Sequence, residues 1–167
     1  MKKVIEEHKE LTSEMIELLN KIHFTDTFST TNHRDNIKDI TNLIFNTSPK
    51  WLELLFKLRN NLVKIIGLKT DIPKDYNETF KVGGYVKFFK IYSISNRQVV
   101  LGVDDSHLNF RAIIENNISK NYNIKVTTLV QFNNKKGNIY MNIIKPFHRL
   151  VVKKMVKNAF KTTNINL

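Results

Sequence analysis

The sequence predicts an α+β domain in which helices come first, a five-stranded antiparallel sheet follows, and one long helix ends the chain. Two observations carry this prediction. Before Pro73 apolar residues recur at helical spacing, whereas after it they fall in short runs rich in β-branched and aromatic residues. Turn residues separate these runs without gaps long enough for a helix, which favours an antiparallel meander. We therefore expect a single domain spanning residues 1–167.

The N-terminal third is predicted to be helical with one interruption. Apolar residues recur at helical spacing through residues 4–22, and residues 35–45 repeat the pattern. Residues 23–31 break it, and we expect them to form a short edge strand.

The clearest helix is predicted from Ser48 to Gly67. Serine is a good N-cap, a proline follows at the first helical position, and the glycine supplies a C-terminal stop. Trp51 and Leu55 belong to its apolar stripe and are expected to be core or cavity residues. Arg59 projects within the same stripe, so its guanidinium should extend past the edge of the stripe to water, meet a carboxylate in the interior or contact a ligand.

Five β-rich runs are predicted after this helix. They are Phe80–Tyr92, Val99–Val103, Leu108–Ile114, Ile124–Phe132 and Ile139–Ile144. Gly83 and Gly84 in the first run indicate a β-bulge or a close approach of two backbones.

The final helix is predicted to begin at Pro146. Phe147 and Val151 lie on its apolar stripe, as core or cavity residues packed on the sheet, while Arg149 points towards solvent. His148 would then lie in the first turn, where the helix dipole disfavours an imidazolium ion, so we expect a neutral ring.

The charge of the chain raises two function classes. There are 27 basic and 15 acidic residues, a net charge of +12, and such an excess is typical of proteins that bind nucleic acid or anionic membranes. The lysines are scattered rather than clustered, which favours a solvated basic surface over a nucleic-acid interface.

Composition excludes several other classes. The chain has no cysteine, which rules out a disulfide framework, a Cys-ligated metal and a thiol nucleophile. No window has the roughly 18 apolar residues of a membrane span, and two glutamates follow the basic N-terminus where a signal peptide would be apolar. We therefore expect a cytoplasmic protein.

Residues 104–111 place two carboxylates, an imidazole and a guanidinium around one turn. In a structural interpretation Asp104 caps the turn and the other charges form ion pairs that hold the hairpin together. In a functional one Asp105, His107 and Arg111 form the polar end of a cavity and orient a ligand's carbonyl or carboxylate. Both interpretations remain open. The supporting residues expected in the functional case are Asp104, His148 and Arg149.

Catalytic and metal chemistry have weaker signals. His107 or His148 has the pKa range of an acid–base group, but the sequence contains no nucleophile elbow, phosphate-binding loop or glycosidase pair. No pair of ligating residues has the spacing of a zinc or iron site, so we expect neither a metal nor a cofactor.

Several motifs resemble a known bacterial family catalogued as a domain of unknown function. They are Asp26-x-Phe28; Pro49-x-Trp51-x-x-x-Leu55-x-x-x-Arg59-Asn60-x-x-Val63 with Gly67-Leu68; Leu101-Gly102-x-Asp104-Asp105-x-His107-Leu108-x-Phe110-Arg111; and Tyr140 with Pro146-Phe147-His148-Arg149. Members of that family occur alone or fused behind epimerase-like domains of the short-chain dehydrogenase type.

The resemblance implies a helix-grip fold of the START-like, Bet v-type (SRPBCC) group, in which a curved antiparallel sheet wraps a long C-terminal helix around an apolar cavity. Proteins of this architecture bind sterols, lipids, polyketides or aromatic hormones, and a few catalyse cyclisations or hydrations. The resemblance implies a fold rather than an activity, and with that fold we expect non-covalent binding of a small hydrophobic molecule. The residues expected at the polar end of the cavity are Arg59, Asp105, His107 and Arg111.

Three alternatives to ligand binding stay open. One is an enzyme acting on a polyketide-like or isoprenoid-like substrate, which requires a histidine facing the cavity. The others are an accessory domain that only carries an interaction surface, and a basic nucleic-acid binder whose affinity falls steeply with salt.

Overall fold

The computed structural model of the protein describes residues 2–8, 10–47 and 75–162. Its strands are β1 (Val4–Glu7), β2 (Phe24–Thr30), β3 (Tyr85–Val86), β4 (Phe89–Ile94), β5 (Gln98–Asp104), β6 (Leu108–Asn116) and β7 (Ile124–Phe132). Its helices are α1 (Ser13–Ile16), α2 (Ile37–Phe45) and α3 (Lys135–Asn158). The helix predicted from Ser48 to Gly67, with Trp51, Leu55 and Arg59, lies outside the described residues.

The described strands form one antiparallel sheet in the order β1-β2-β7-β6-β5-β4-β3. Strands β3 to β7 follow one another as a meander, because each pairs with the next in sequence. Residues 24–30 form a strand as predicted, but its predicted position at an edge is wrong. Strand β2 pairs with β1 on one side and β7 on the other, and its last five residues are buried.

Two helices cover one side of the sheet, which we call the helical face. The side chain of Asn36 caps α2 by accepting a hydrogen bond of 2.9 Å from the backbone N–H of Asp39. Ile40 and Ile44, four residues apart, turn the same side of α2 into the core and are almost completely buried. The helix predicted at 35–45 is therefore confirmed.

The opposite side of the sheet, the outer face, has a smaller core of its own. That core consists of Met15, Leu19, Val100, Ile113 and Leu129. Because side chains alternate along a strand, Ala112 and Ile114 of β6 join the core under the helices while Ile113 joins this one. Neighbouring residues of one strand thus belong to two different cores, one on each face of the sheet.

The N-terminal helix predicted over residues 4–22 is wrong in most of its length. Residues 4–7 form β1, and α1 is a single turn over Ser13–Ile16. Strand β1 pairs in register with β2, with Val4 opposite Thr30, and Val4 is buried. Sheet hydrogen bonds and this burial outweigh the weak local preference for a helix.

The fifth predicted strand, Ile139–Ile144, is also wrong, since it lies inside α3. That helix begins at Lys135, with the Asn134 side chain accepting a hydrogen bond of 3.2 Å from the Gly137 N–H. Pro146, the predicted first residue, is interior and exposed, so water can replace the helical hydrogen bond that proline cannot make. The dipole argument for His148 does not apply, because this residue lies far from the helix start.

The close backbone approach predicted at Gly83 and Gly84 is confirmed at the second position, where a Cβ would collide with the carbonyl of Thr79. An antiparallel sheet carrying a C-terminal helix is an α+β arrangement compatible with a helix-grip fold. No helix in the described part of the chain is both long enough and apolar enough to cross a membrane.

Candidate functional site

A cavity of about 210 Å³ lies between the helical face, α2 and α3. Its walls in the sheet include Val103, Phe110, Ala112, Val126 and Val130. Its walls in α3 include Met141, Ile144, Val151, Val152 and Met155. Phe88 and Phe147 also line the cavity and are about half exposed, at 58% and 45%, so they mark its mouth. The space is therefore apolar and is reached beside α3.

Three polar side chains meet at one end of the cavity, which we call the turn end: Asp105, His107 and Tyr140. His107 is buried, with Nδ1 3.4 Å from Oδ2 of Asp105. Its ring packs edge-to-face on Tyr140 with 5.4 Å between centroids. The other oxygen of Asp105 accepts a hydrogen bond of 2.6 Å from the Ser106 N–H, which holds the carboxylate in the turn.

The start of α3 holds the turn end in place. Asn133 donates its side-chain N–H to the carbonyl of Asp105 at 2.7 Å and its backbone N–H to the carbonyl of His107 at 3.0 Å. Asn134 donates to the carbonyl of Ser106 at 2.9 Å. A Cβ at Gly137 would collide with the His107 carbonyl, so the glycine allows the helix to dock closely. The imidazole is therefore positioned by both the hairpin and the helix.

A second polar group lies further along α3. His148 lines the cavity, and its Nε2 is 3.3 Å from Oδ2 of Asp26 on β2. The Asp26 side chain is only 4% exposed, against 16% for that of His148. Asp26 stands opposite Thr128 in the β2–β7 register, and Thr128 also lines the cavity. We call the first two residues the Asp26–His148 pair.

The two polar groups are well separated. Tyr140 and His148 are eight residues apart on α3, which corresponds to a rise of about 12 Å along the helix. A ligand that contacted both would need hydrogen-bonding groups at one end and on its body.

Arg111 and Asp104 lie elsewhere, on the outer face. Arg111 pairs across the sheet with Gly102 and Leu129, and it does not line the cavity. Its guanidinium donates two hydrogen bonds to Asp104, of 2.7 and 3.2 Å, and stacks 3.8 Å above the ring of Tyr92. Tyr92 completes the cluster with a hydrogen bond of 2.7 Å to Asp104. The ion-pair network of the structural interpretation is thus present, away from the cavity.

This cluster shifts the pKa of two of its members. Burial alone would raise the pKa of Asp104, but hydrogen bonds from Arg111 and Tyr92 outweigh it and hold that pKa below its ordinary value. Burial, together with the hydrogen bond to Asp104, raises the pKa of Tyr92 to about 12. Both shifts favour the charge states in which the cluster is fully bonded.

The remaining predicted residues divide in the same way. Phe147 and Val151 line the cavity, whereas Arg149 is exposed and forms an ion pair with Glu6 of β1. Among the described residues no group of three His, Asp or Glu side chains is arranged to hold a metal ion.

Asp26, Thr128 and Tyr140 were not predicted as site residues. One signal for Asp26 is present in the sequence: in β2 the residues Phe24, Asp26 and Phe28 share one side of the strand, and two of the three are aromatic. A carboxylate that lies between two aromatic side chains on an inward-facing side is costly to bury unless a hydrogen-bond donor or a cation lies beside it. The identity of that partner, His148, follows only from the packing of α3 on β2.

Residues 18–155 match a known family described as a protein of unknown function, DUF2867. The chain belongs to the DUF2867 family. This match covers β2 to nearly the end of α3, and hence every described residue that lines the cavity. Comparison of this DUF2867 chain with curated proteins and with solved structures finds no match. The family assignment agrees with the resemblance in the sequence motifs and adds no activity.

Proposed function

We propose that this DUF2867 chain binds a small, largely apolar molecule non-covalently in the cavity. The observation that carries the proposal is an apolar space of about 210 Å³ with a few polar side chains in its wall. Binding pockets for small molecules have this composition, with apolar walls for affinity and a few polar groups for orientation. We assign the polar contact to Asp105 and His107 at the turn end.

The size of the cavity restricts the ligand. An apolar cavity of about 150 Å³ is enough to bind benzene, whereas drug-sized ligands need about 300 Å³ or more. A cavity of about 210 Å³ therefore suits a molecule of one or two rings, or a short branched chain. An antiparallel sheet and a C-terminal helix around such a space also support our assignment of the fold to the START-like, Bet v-type helix-grip group.

The test uses naphthalene as an apolar probe and a pair of matched substitutions. Val130 lines the cavity and Val100 belongs to the outer-face core, and both are 2% exposed. Val130→Phe fills the cavity and should abolish naphthalene-induced chemical-shift changes with little loss of stability. Val100→Phe overpacks a closed core, so it should lower stability while naphthalene still binds. Val100→Ile is the milder control.

Either of two results would contradict the proposal. One is naphthalene binding that survives Val130→Phe, because the probe would then lie outside the cavity. The other is an absence of binding by wild-type protein combined with a clean mass for protein purified from its own cytosol under native conditions. A retained small molecule in that mass measurement would instead identify the ligand class directly.

Acid–base catalysis on a ligand held in the same cavity is a second candidate function. It is favoured by the two imidazole–carboxylate contacts at the cavity, His107 with Asp105 and His148 with Asp26. A direct test is hydrogen–deuterium exchange of the α-hydrogens of 2-tetralone in D₂O. A base removes the proton from carbon, the electron pair moves onto the carbonyl oxygen, and a deuteron returns. If exchange in the presence of the protein is no faster than in buffer, the catalytic candidate is contradicted and ligand binding remains as the proposed function.

A further inference from the structure

The Asp26–His148 pair contains buried polar atoms that form no hydrogen bond. Among the described residues both carboxylate oxygens of Asp26 and Nε2 of His148 are buried and lack a hydrogen-bond partner. A buried carboxylate without hydrogen bonds is costly, and such groups are rare in folded proteins. The pair therefore does not follow from the needs of folding alone.

The described cations near this pair, Lys145 and Arg149, make other contacts and do not offset the cost of burying the Asp26 carboxylate by bonding to it. Lys145 lies 5.3 Å from the centroid of the Phe24 ring, and Arg149 forms its ion pair with Glu6. The contact that Asp26 does make is with His148, at 3.3 Å. The carboxylate is thus directed at one side of one imidazole ring.

This contact determines which nitrogen of His148 is available to a ligand. A carboxylate 3.3 Å from Nε2 favours the proton on that nitrogen, which leaves Nδ1 as a hydrogen-bond acceptor in the neutral ring. His148 lines the cavity, and so does Thr128, the residue opposite Asp26 on β7. The residues of this otherwise apolar stretch of wall thus include one with an acceptor nitrogen and one with a hydroxyl group.

We propose that His148, oriented by Asp26 from behind, is a second polar contact in this cavity and accepts a hydrogen bond from a hydroxyl group on the body of the ligand. The inference rests on the proposed ligand-binding function and narrows it. The ligand class is a small apolar alcohol or phenol. Asp26 is a positioning residue, because its carboxylate is buried behind the imidazole.

The experiment compares two probes that differ by one hydroxyl, naphthalene and 2-naphthol, by NMR titration of the full chain. Wild-type protein should bind 2-naphthol roughly fivefold more tightly, which corresponds to one buried hydrogen bond. His148→Phe keeps an aromatic ring and removes both nitrogens, so the two probes should bind this variant with equal affinity. His148→Leu serves if the phenylalanine variant does not fold.

One further variant tests the loss of a histidine outside the cavity. His23→Leu is the matched control, because His23 stacks on Phe132 with 4.8 Å between centroids and does not line the cavity. It should keep the preference for 2-naphthol. A preference that survives in His148→Phe would overturn the inference.

The positioning role of Asp26 has its own readout. The ¹⁵N chemical shifts of the His148 ring should show a single tautomer with the proton on Nε2. Asp26→Asn should give a mixture of tautomers and a reduced preference for 2-naphthol, a change that a purely structural aspartate would not produce.

The outcomes separate the two proposals. Equal binding of both probes by wild-type protein would overturn the role of His148 and leave ligand binding intact. Binding of neither probe, combined with a clean mass for protein purified under native conditions, would overturn the proposed function, and this inference with it.

Discussion

Two of the aspartates that contact a basic side chain, Asp104 and Asp26, lie on opposite faces of the sheet. On the outer face Arg111 is buried, and Asp104 accepts two hydrogen bonds from it and one from Tyr92. On the helical face Asp26 is buried beside His148, and its oxygens have no hydrogen-bond partner within residues 2–8, 10–47 and 75–162. The first pair is complete by itself, whereas the second retains unused hydrogen-bonding capacity beside a cavity. A complete pair is typical of structure and an incomplete one of function.

The largest effect is expected from Gly102→Ala, which breaks the outer-face pair by steric conflict. A Cβ at this position would collide with the Phe110 carbonyl and come within 2.8 Å of Cδ of Arg111. We expect a loss of about 2–3 kcal/mol in the free energy of unfolding, measured with denaturant.

The control for this prediction is Gly83→Ala. Gly83 has a φ of +83° and no neighbour within 4 Å of an added Cβ. Its cost should be about 1 kcal/mol, from backbone strain alone. Equal losses at the two glycines would show that the space beside Arg111 is not required.

Replacement of the aspartate by asparagine is expected to change stability differently in the two pairs. Asp104→Asn removes the charge that balances a buried guanidinium, so stability should fall by about 1–2 kcal/mol, moderated by the half-exposed position of the carboxylate. Asp26→Asn removes a buried charge without hydrogen bonds, so stability should stay the same or rise by up to about 1 kcal/mol.

Naphthalene binding provides the complementary readout for these variants. It should be unchanged in both, because neither substitution alters the apolar wall. A stability loss in Asp26→Asn as large as that in Asp104→Asn would remove the distinction between the pairs.

The last prediction concerns the dependence of stability on pH. Because Tyr92 has a pKa of about 12 in the folded protein and 10.0 ordinarily, its contribution to stability is complete below pH 10 and is lost as the pH rises towards 12. The lowered pKa of Asp104 acts in the opposite direction: its contribution is complete above its ordinary value of 3.8 and is lost as the pH falls through the folded value.

Denaturant unfolding at a series of pH values measures how stability falls at low pH (the acid limb) and at high pH (the alkaline limb). Tyr92→Phe should flatten the alkaline limb, and Asp104→Asn should flatten the acid limb. An alkaline limb unchanged in Tyr92→Phe would mean that other groups control it.

Parts of the fold were predictable because local signals and tertiary packing agree there. Residues 35–45 have an Asn cap and isoleucines at helical spacing, and β5, β6 and β7 coincide closely with three predicted runs. Around Pro146 the two disagree. A proline before an amphipathic stretch is typical of a helix start, yet the cap at Asn134 and the close docking of Gly137 begin α3 much earlier.

The site was predicted in composition but not in arrangement. Asp104, Asp105, His107 and Arg111 are close in sequence, and a single polar cluster was the natural expectation. Alternation along β6 sends Arg111 and Phe110 to opposite faces, and only Phe110 lines the cavity. Which face carries the cavity depends on where α3 packs, and no pattern within the hairpin contains that information.

Local sequence patterns were enough to predict the α+β class, the helix at 35–45, three central strands and the residue types that carry the polar chemistry, since these depend on periodicity and turn chemistry over a few residues. The start of α3, the interior position of β2, the division of residues 104–111 between two faces, and the contact between Asp26 and His148 depend instead on how the elements pack. Asp26 and His148 are far apart in the chain. The pattern of β2 shows that Asp26 needs a buried partner, but the residue that becomes this partner depends on how α3 packs on β2.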